Sequence, residues 1–204
     1  MRVRVDPAAP APAVIEEAAQ ILRRGGLVIF PTETVYGVGA NADDARAVER
    51  LYRVKGRPSG QPVTVHLADA ALVRQMAVEW PRAAEALSRQ FWPGPLTLVV
   101  PRREGGSVGL RVPRHPVAEA LLAAAQVPVV APSANVSGHP PPTTADEADH
   151  ELGALVEYLI DAGSTPFGEA STVVDCTVTP PRLLRMGAAG REIEVAVAAL
   201  DAPR

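Results

Sequence analysis

With 204 residues, 47% of them hydrophobic and 21% charged, the chain is long enough to bury a core without covalent staples and is not disordered. A formal net charge of −3 excludes a general nucleic-acid coat protein, and the one cysteine, Cys176, excludes an internal disulfide framework or a cysteine-built zinc site. The first residues lack the apolar core of a signal peptide and no apolar run reaches membrane-spanning length, so the expected setting is cytoplasmic, with no membrane contact.

Residues 1–5 alternate polar and apolar, which predicts a short strand. Pro7, Pro10 and Pro12 end it and lead into an Ala/Glu-rich helix over 13–24, stopped by Gly25-Gly26. The all-apolar run 27–30 predicts a strand buried on both faces, and residues 31–39 a loop rich in hydroxyls and glycine. Ala47, Val48, Leu51 and Val54 recur at helical spacing across 44–54. A strand over 63–67 and helices over 70–78 and 81–91 follow. The rigid corner at 92–95 precedes two strands, 96–100 and 108–112, which read as an antiparallel hairpin turning at Gly105-Gly106. Next come a helix over 116–125, a buried strand over 127–131, a polar loop over 132–138 and an acidic helix over 145–152. The last third alternates strands (156–161, 172–176, 182–185) with a loop at 163–168 and closes with a helix over 193–200. Hairpins and helical crossovers together predict one α/β domain with a mixed sheet.

The segment 55–62 holds the chain's single lysine, Lys55, among 20 basic residues, with Arg57 two positions on. A compact ammonium beside a planar guanidinium in a Gly/Pro loop suits a polyphosphate; a solvated loop bearing two charges is the plainer alternative. Arg50, Arg53, Lys55 and Arg57 also form a local basic run with no acid among them. Strand-end loops at 31–39, 132–138 and 163–172 supply hydroxyls, one amide and few carboxylates, an inventory for anions and a small polar molecule and not for a metal cage. No phosphate-binding Gly-x-x-x-x-Gly-Lys-Ser/Thr is present. Gly37-Val38-Gly39-Ala40-Asn41-Ala42 matches the dinucleotide fingerprint only loosely and lacks its downstream acid. Cys176, in an apolar run, reads as buried filler. Taken singly, His66 reads as a half-buried structural histidine, and Arg111 as a strand-end arginine that snorkels to solvent in preference to reaching inward to a carboxylate.

Several blocks, in order, carry a family resemblance: 30–37 (Phe-Pro-Thr-Glu-Thr-Val-Tyr-Gly), Lys55-Gly56-Arg57-Pro58 with His66 downstream, and Trp92-Pro93-Gly94-Pro95-Leu96-Thr97. Arg111-Val112-Pro113 with His115, Pro132-Ser133-Ala134-Asn135-Val136-Ser137-Gly138, 171–175 (Ser-Thr-Val-Val-Asp) and Leu184-Arg185 complete them. Over residues 14–199 the chain resembles the YrdC-like threonylcarbamoyl-AMP synthases. The resemblance implies a YrdC-like open twisted sheet of parallel and antiparallel strands flanked by helices, as one domain over 1–204, without the extra C-terminal domain of longer relatives. It implies conversion of L-threonine, bicarbonate (or CO2) and ATP to threonylcarbamoyl-AMP and pyrophosphate, with Mg2+ bound through the phosphates and no metal ligands from protein. The product would pass to downstream threonylcarbamoyl-transferase proteins that modify tRNA. By motif position, Lys55, Arg57, Gln61, Ser133, Asn135 and Arg185 would contact ATP, with Lys55 and Arg57 the catalytic cations. Thr34, His66, Arg111, Ala131 (through its backbone) and Ser171 would surround threonine. Gln61 stands where the family usually has Asn, and Pro141 where a serine often touches the nucleotide. Two other readings remain: a carbamoyltransferase module of the hydrogenase-maturation type, and a non-enzymatic binder of double-stranded RNA or ribosomal precursors through the basic run; contact with tRNA or double-stranded RNA also stays open for the synthase.

Overall fold

The run at 27–30 sits where its composition demands, deep inside a sheet, and the chain winds around it. The computed structural model describes residues 1–58, 61–76, 79–102 and 105–201, without the side chains of 74, 75 and 201. In chain order the elements are β1 (Arg2–Arg4), α1 (Pro12–Arg23), β2 (Val28–Pro31), β3 (Tyr36–Asn41), α2 (Ala45–Val54), β4 (Thr64–His66), α3 (Val73–Met76), α4 (Arg82–Phe91), β5 (Leu96–Pro101), β6 (Ser107–Arg111), α5 (Pro116–Ala125), β7 (Val129–Val130), α6 (Ala145–Leu152), β8 (Tyr158–Asp161), β9 (Thr172–Asp175), β10 (Arg182–Arg185) and α7 (Gly190–Asp201). Short 3-10 turns precede α3 (Ala70–Leu72) and follow α6 (Gly153–Leu155). Residues 59–60 of the expected phosphate loop and 77–78 of the expected 70–78 helix lie outside the described residues.

The ten strands form one sheet in the order β1-β8-β2-β3-β7-β4-β6-β5-β9-β10. It is mixed, as expected: β2 runs parallel to β8 and antiparallel to β3, and β5 antiparallel to β6 and parallel to β9. The fold is α/β.

Three expectations are corrected. Residues 36–41 are not loop but a fully buried strand paired with β2 from Val28↔Gly39 to Pro31↔Tyr36. Its glycines hid it, yet they are what fits: a Cβ on Gly39 would stand 2.9 Å from the Phe30 ring and 3.1 Å from Val129 Cγ1. The strand expected over 127–131 shrinks to Val129–Val130, and the last helix starts three residues early, at Gly190.

Strand alternation sends side chains to two separate layers. One face carries Ile29, Val38, Val65, Leu98, Leu110, Val130, Leu159 and Val174, packed under residues of α2, α4, α6 and α7. The other face carries Val28, Phe30, Val129, Tyr158 and Ile160 under α1 and α5. Each such side chain, fully buried, contributes about 1.5–3 kcal/mol of transfer free energy. Helix starts are secured locally. Asp44 accepts from the Arg46 and Ala47 amides at the head of α2. Thr144 and Glu147 close a reciprocal capping box on α6. His115 accepts the Val117 amide through Nδ1 at the head of α5. The two layers are unequal: among the described residues, the second contains no side chain of β4, β5, β6 or β9.

Candidate active site

That uncovered half-face is the floor of a cavity of about 450 Å3. Thr64 and His66 of β4, Thr97 and Val99 of β5, Gly109 and Arg111 of β6, and Val173 and Asp175 of β9 all point into it, alternating with the apolar residues that pack the opposite face. Gly109 keeps the floor low, since a Cβ there would press on Thr64 Oγ1 at 3.1 Å and Thr97 Cγ2 at 3.4 Å. The walls come from Thr32 and Thr34, Arg57, Ala131 to Ser133, Ser171, and Leu184 and Arg185. Loops at strand ends were expected to make the site; they make its walls, and the sheet face makes its floor.

At one end Arg111, 4% exposed, does not snorkel to solvent but turns inward. Its Nη2 donates to Thr34 Oγ1 at 2.9 Å and its Nε to the Gly94 carbonyl at 3.2 Å. The same Nη2 lies 2.9 Å from Glu33 Oε1, with Glu33 itself 3% exposed. Because the hydrogen is directed at Thr34, the Glu33 contact is an ion pair and not a well-aligned hydrogen bond. Thr32 Oγ1 braces the turn, 2.8 Å from Thr34 Oγ1 and donating to the Val35 carbonyl at 2.7 Å. His66, 5% exposed, is more buried than its half-buried reading; burial, then the Arg111 charge, hold its pKa down at about 3, so it is neutral near pH 7.

Across the floor, Arg185 Nε donates to the Ser171 carbonyl at 2.9 Å and Nη2 to Ser171 Oγ at 3.1 Å, while Ser171 Oγ and Thr97 Oγ1 share a 2.9 Å hydrogen bond. The Arg185 pKa is lowered by burial and by Arg111, the mark of two guanidiniums converging on one cavity. Arg57 lines the wall, donating from Nη2 to the Pro62 carbonyl at 2.7 Å, with its Nε buried and without a partner among the described residues. Asp175 is engaged by the Thr177 amide and hydroxyl at 2.8 and 2.6 Å. A cavity lined by three guanidiniums is a place for anions.

Of the residues expected at the site, Thr34, Arg57, His66, Arg111, Ala131, Ser133, Ser171 and Arg185 line this cavity; Lys55, Gln61 and Asn135 do not. Lys55 is the instructive departure. It is 2% exposed, and its ammonium donates to the Ser133 and Asn135 carbonyls, both at 2.5 Å. Its own carbonyl accepts the Ser137 amide at 2.8 Å. Burial, then Arg57, bring its pKa down to about 8. Asn135 spends its amide on the Val136 and His139 carbonyls, at 2.9 and 2.8 Å. These two side chains therefore pin the loop that presents Ser133 to the cavity. Gln61 is exposed. The basic run is also less free than its sequence implied, since Arg50 is bonded to Glu157 at 2.7 Å and to the Leu155 carbonyl at 3.0 Å.

Sequence reasoning missed Glu33, Thr64, Thr97 and Asp175. A period-two signal was available in Ser107-Val108-Gly109-Leu110-Arg111, where polar and apolar positions alternate; such a pattern ordinarily marks a face turned to water. Cys176 is buried filler as expected, its thiol pushed up to about 12 by burial. No group of three or more His, Cys, Asp or Glu among the described residues is arranged to hold a metal, and no described helix is long and apolar enough to cross a membrane.

Comparison with known proteins places this architecture. A threonylcarbamoyl-AMP synthase from Pyrococcus abyssi is 46% identical over 182 residues, covering 85% of this chain and 54% of that protein, so the chain spans about half the relative's length. A threonylcarbamoyl-AMP synthase from Halorhodospira halophila is 35% identical over 167 residues, covering 76% of this chain and 85% of its own length. The crystal structure of P. abyssi Sua5 complexed with L-threonine superposes with a TM-score of 0.91 at 42% identity, over 96% of this chain and 60% of that one. The Sua5/YciO/YrdC profile, described as telomere recombination, matches residues 20–187. The chain belongs to the Sua5/YciO/YrdC family.

Proposed function

We propose that the cavity joins L-threonine, inorganic carbon and ATP to make threonylcarbamoyl-AMP and pyrophosphate. The observation that carries this reading is a single cavity lined by three guanidiniums, with Arg111 bonded to Thr34, Arg185 bonded to Ser171 and Arg57 on the wall with Ser133, in a chain 46% identical to a threonylcarbamoyl-AMP synthase. Arg111 meets the threonine carboxylate, and the hydroxyls of Thr34 and Ser171 with the Ala131 backbone frame its side chain. Neutral His66 closes that end without adding charge. Arg57, Ser133 and Arg185 hold the nucleotide, which arrives as its magnesium complex. The attack of a carbamate oxygen on the α-phosphate needs charge neutralised and atoms held in line, with little covalent work for the protein. Lys55 and Asn135 serve by fixing the Ser133 loop, and Gln61 meets nucleotide only if its loop closes inward. Pro141 lines the wall but has no N–H or hydroxyl to donate. The product passes to a threonylcarbamoyl transferase acting on tRNA. The RNA-binding reading loses support, since Lys55 is buried and Arg50 is bound to Glu157. Pyrophosphate release from ATP is the test: release that requires both L-threonine and bicarbonate supports the reading, and release indifferent to threonine refutes it.

A further inference from the structure

A second cavity of about 480 Å3 lies beside the first, between the end of β4, the C-terminal end of α5 and the start of α3. Its lining is mostly apolar, with Leu67, Leu72, Met76, Leu122 and Val127, and it has one carboxylate, Asp43. His66 is the one residue that lines both spaces, and its Nδ1 has no hydrogen-bond partner among the described residues. We propose that this second cavity admits CO2, which passes the His66 ring to reach the amine of bound threonine.

The inference rests on the synthase reading given above. Three substrates must meet in the main cavity, and a nucleotide and an amino acid fill its open side. An uncharged gas crosses an apolar groove at little cost, whereas a bicarbonate ion would lose its hydration there without a countercharge. A neutral imidazole neither holds an anion nor repels a gas. The chemistry balances without a further reagent. The threonine ammonium loses one proton to water, and the amine nitrogen attacks the CO2 carbon to form the N–C bond. One C–O π pair becomes the carboxylate lone pair, and the nitrogen releases a second proton to water. The resulting carbamate lies beside the phosphates it attacks next.

The test is the initial rate of pyrophosphate release started with dissolved CO2 or with bicarbonate, before the two equilibrate. Wild-type protein is expected to show a burst with CO2 and a lag with bicarbonate, both abolished by carbonic anhydrase. Ala68→Phe and Ala123→Phe each narrow the second cavity from outside the substrate site. Each should raise the KM for CO2 roughly fivefold while leaving those for threonine and ATP unchanged. Ala123 is exposed on α5, so that variant decides the matter if Ala68→Phe folds poorly. A burst with bicarbonate, or a wild-type KM for CO2 in Ala123→Phe, overturns the proposal. Wild-type protein that releases no pyrophosphate with threonine, ATP and either carbon source would instead sink the synthase reading.

Discussion

The two halves of the sheet are built from the same alternating strands yet end differently. Over β8, β2 and β7, the second face is Val28, Phe30, Val129, Tyr158 and Ile160 under two helices. Over β4, β6, β5 and β9, the same face is Thr64, His66, Arg111, Thr97 and Asp175 under a cavity. What differs is coverage: α1 and α5 reach only half of the sheet. The covered half is sealed by apolar burial, so its residues are exchangeable for others of similar volume. The open half is held by hydrogen bonds among Arg111, Thr34, Ser171, Thr97 and Arg185 and by the Arg111–Glu33 ion pair, and these are specific in type and position.

The most severe challenge to this division is Glu33→Ala. It lies in the open half but should cost as much as a core mutation, about 3–5 kcal/mol in urea unfolding, because Arg111 would be left as an unpaired buried charge. A loss under about 1 kcal/mol would mean that solvent in the cavity already compensates Arg111. Leu121→Ala, in the covered half, should cost about 2–5 kcal/mol of stability while calorimetric affinities for threonine and ATP stay unchanged, which sharpens the contrast.

Acid should act through two buried histidines, His66 on the cavity floor and His115 at the head of α5. His66 is held at about 3 against an ordinary 6.5, and His115 is also lowered by burial. The unfolded chain therefore binds more protons as pH falls, so this contribution is fully present above pH 6.5 and is lost progressively as pH drops toward 3. Thermal melts should show that decline, and His66→Phe should flatten it. Lys55 works in the opposite pH range: held at about 8 instead of 10.5, it makes folding less favourable at neutral pH, and that penalty is relieved as pH rises through this window.

Smaller effects follow at the walls and floor. Arg57→Ala should weaken ATP binding at least about tenfold without changing the unfolding midpoint. The same factor for Lys55→Ala would arise through the Ser133 loop, and so should be accompanied by a lower unfolding midpoint. Thr97→Val should be the mildest, about 0.5–1.5 kcal/mol of threonine affinity from the lost bond to Ser171.

Helix positions were legible in the sequence because caps and apolar spacing are local: α2, α4, α5 and α6 fall within a residue or so of their expected bounds. The strand at 36–41 was hidden because glycine at 37 and 39 signals a loop, while its reason for being there is close approach by Phe30 and Val129 from elsewhere in the chain. Arg57 and the strand-end loops of the wall were legible from composition, and the individual roles of Thr34, Ser133, Ser171 and Arg185 only as blocks matching a family. Beyond His66 and Arg111, which the family blocks marked, the floor was not legible, because polar alternation along a strand cannot distinguish water from a ligand cavity; that depends on how far the neighbouring helices reach. Lys55 shows the same limit in reverse. Its uniqueness singled it out, but spacing could not show that its ammonium faces two carbonyls of the chain and not the cavity.

The claim on which the account turns is that threonine lies on the uncovered face, against β5 and β6. Calorimetric titration of L-threonine into wild-type protein and into Thr97→Phe, whose ring would occupy that floor, tests it directly. The account predicts binding to the wild type and none to the variant, with the two unfolding in the same way. Equal affinity in both proteins would contradict it.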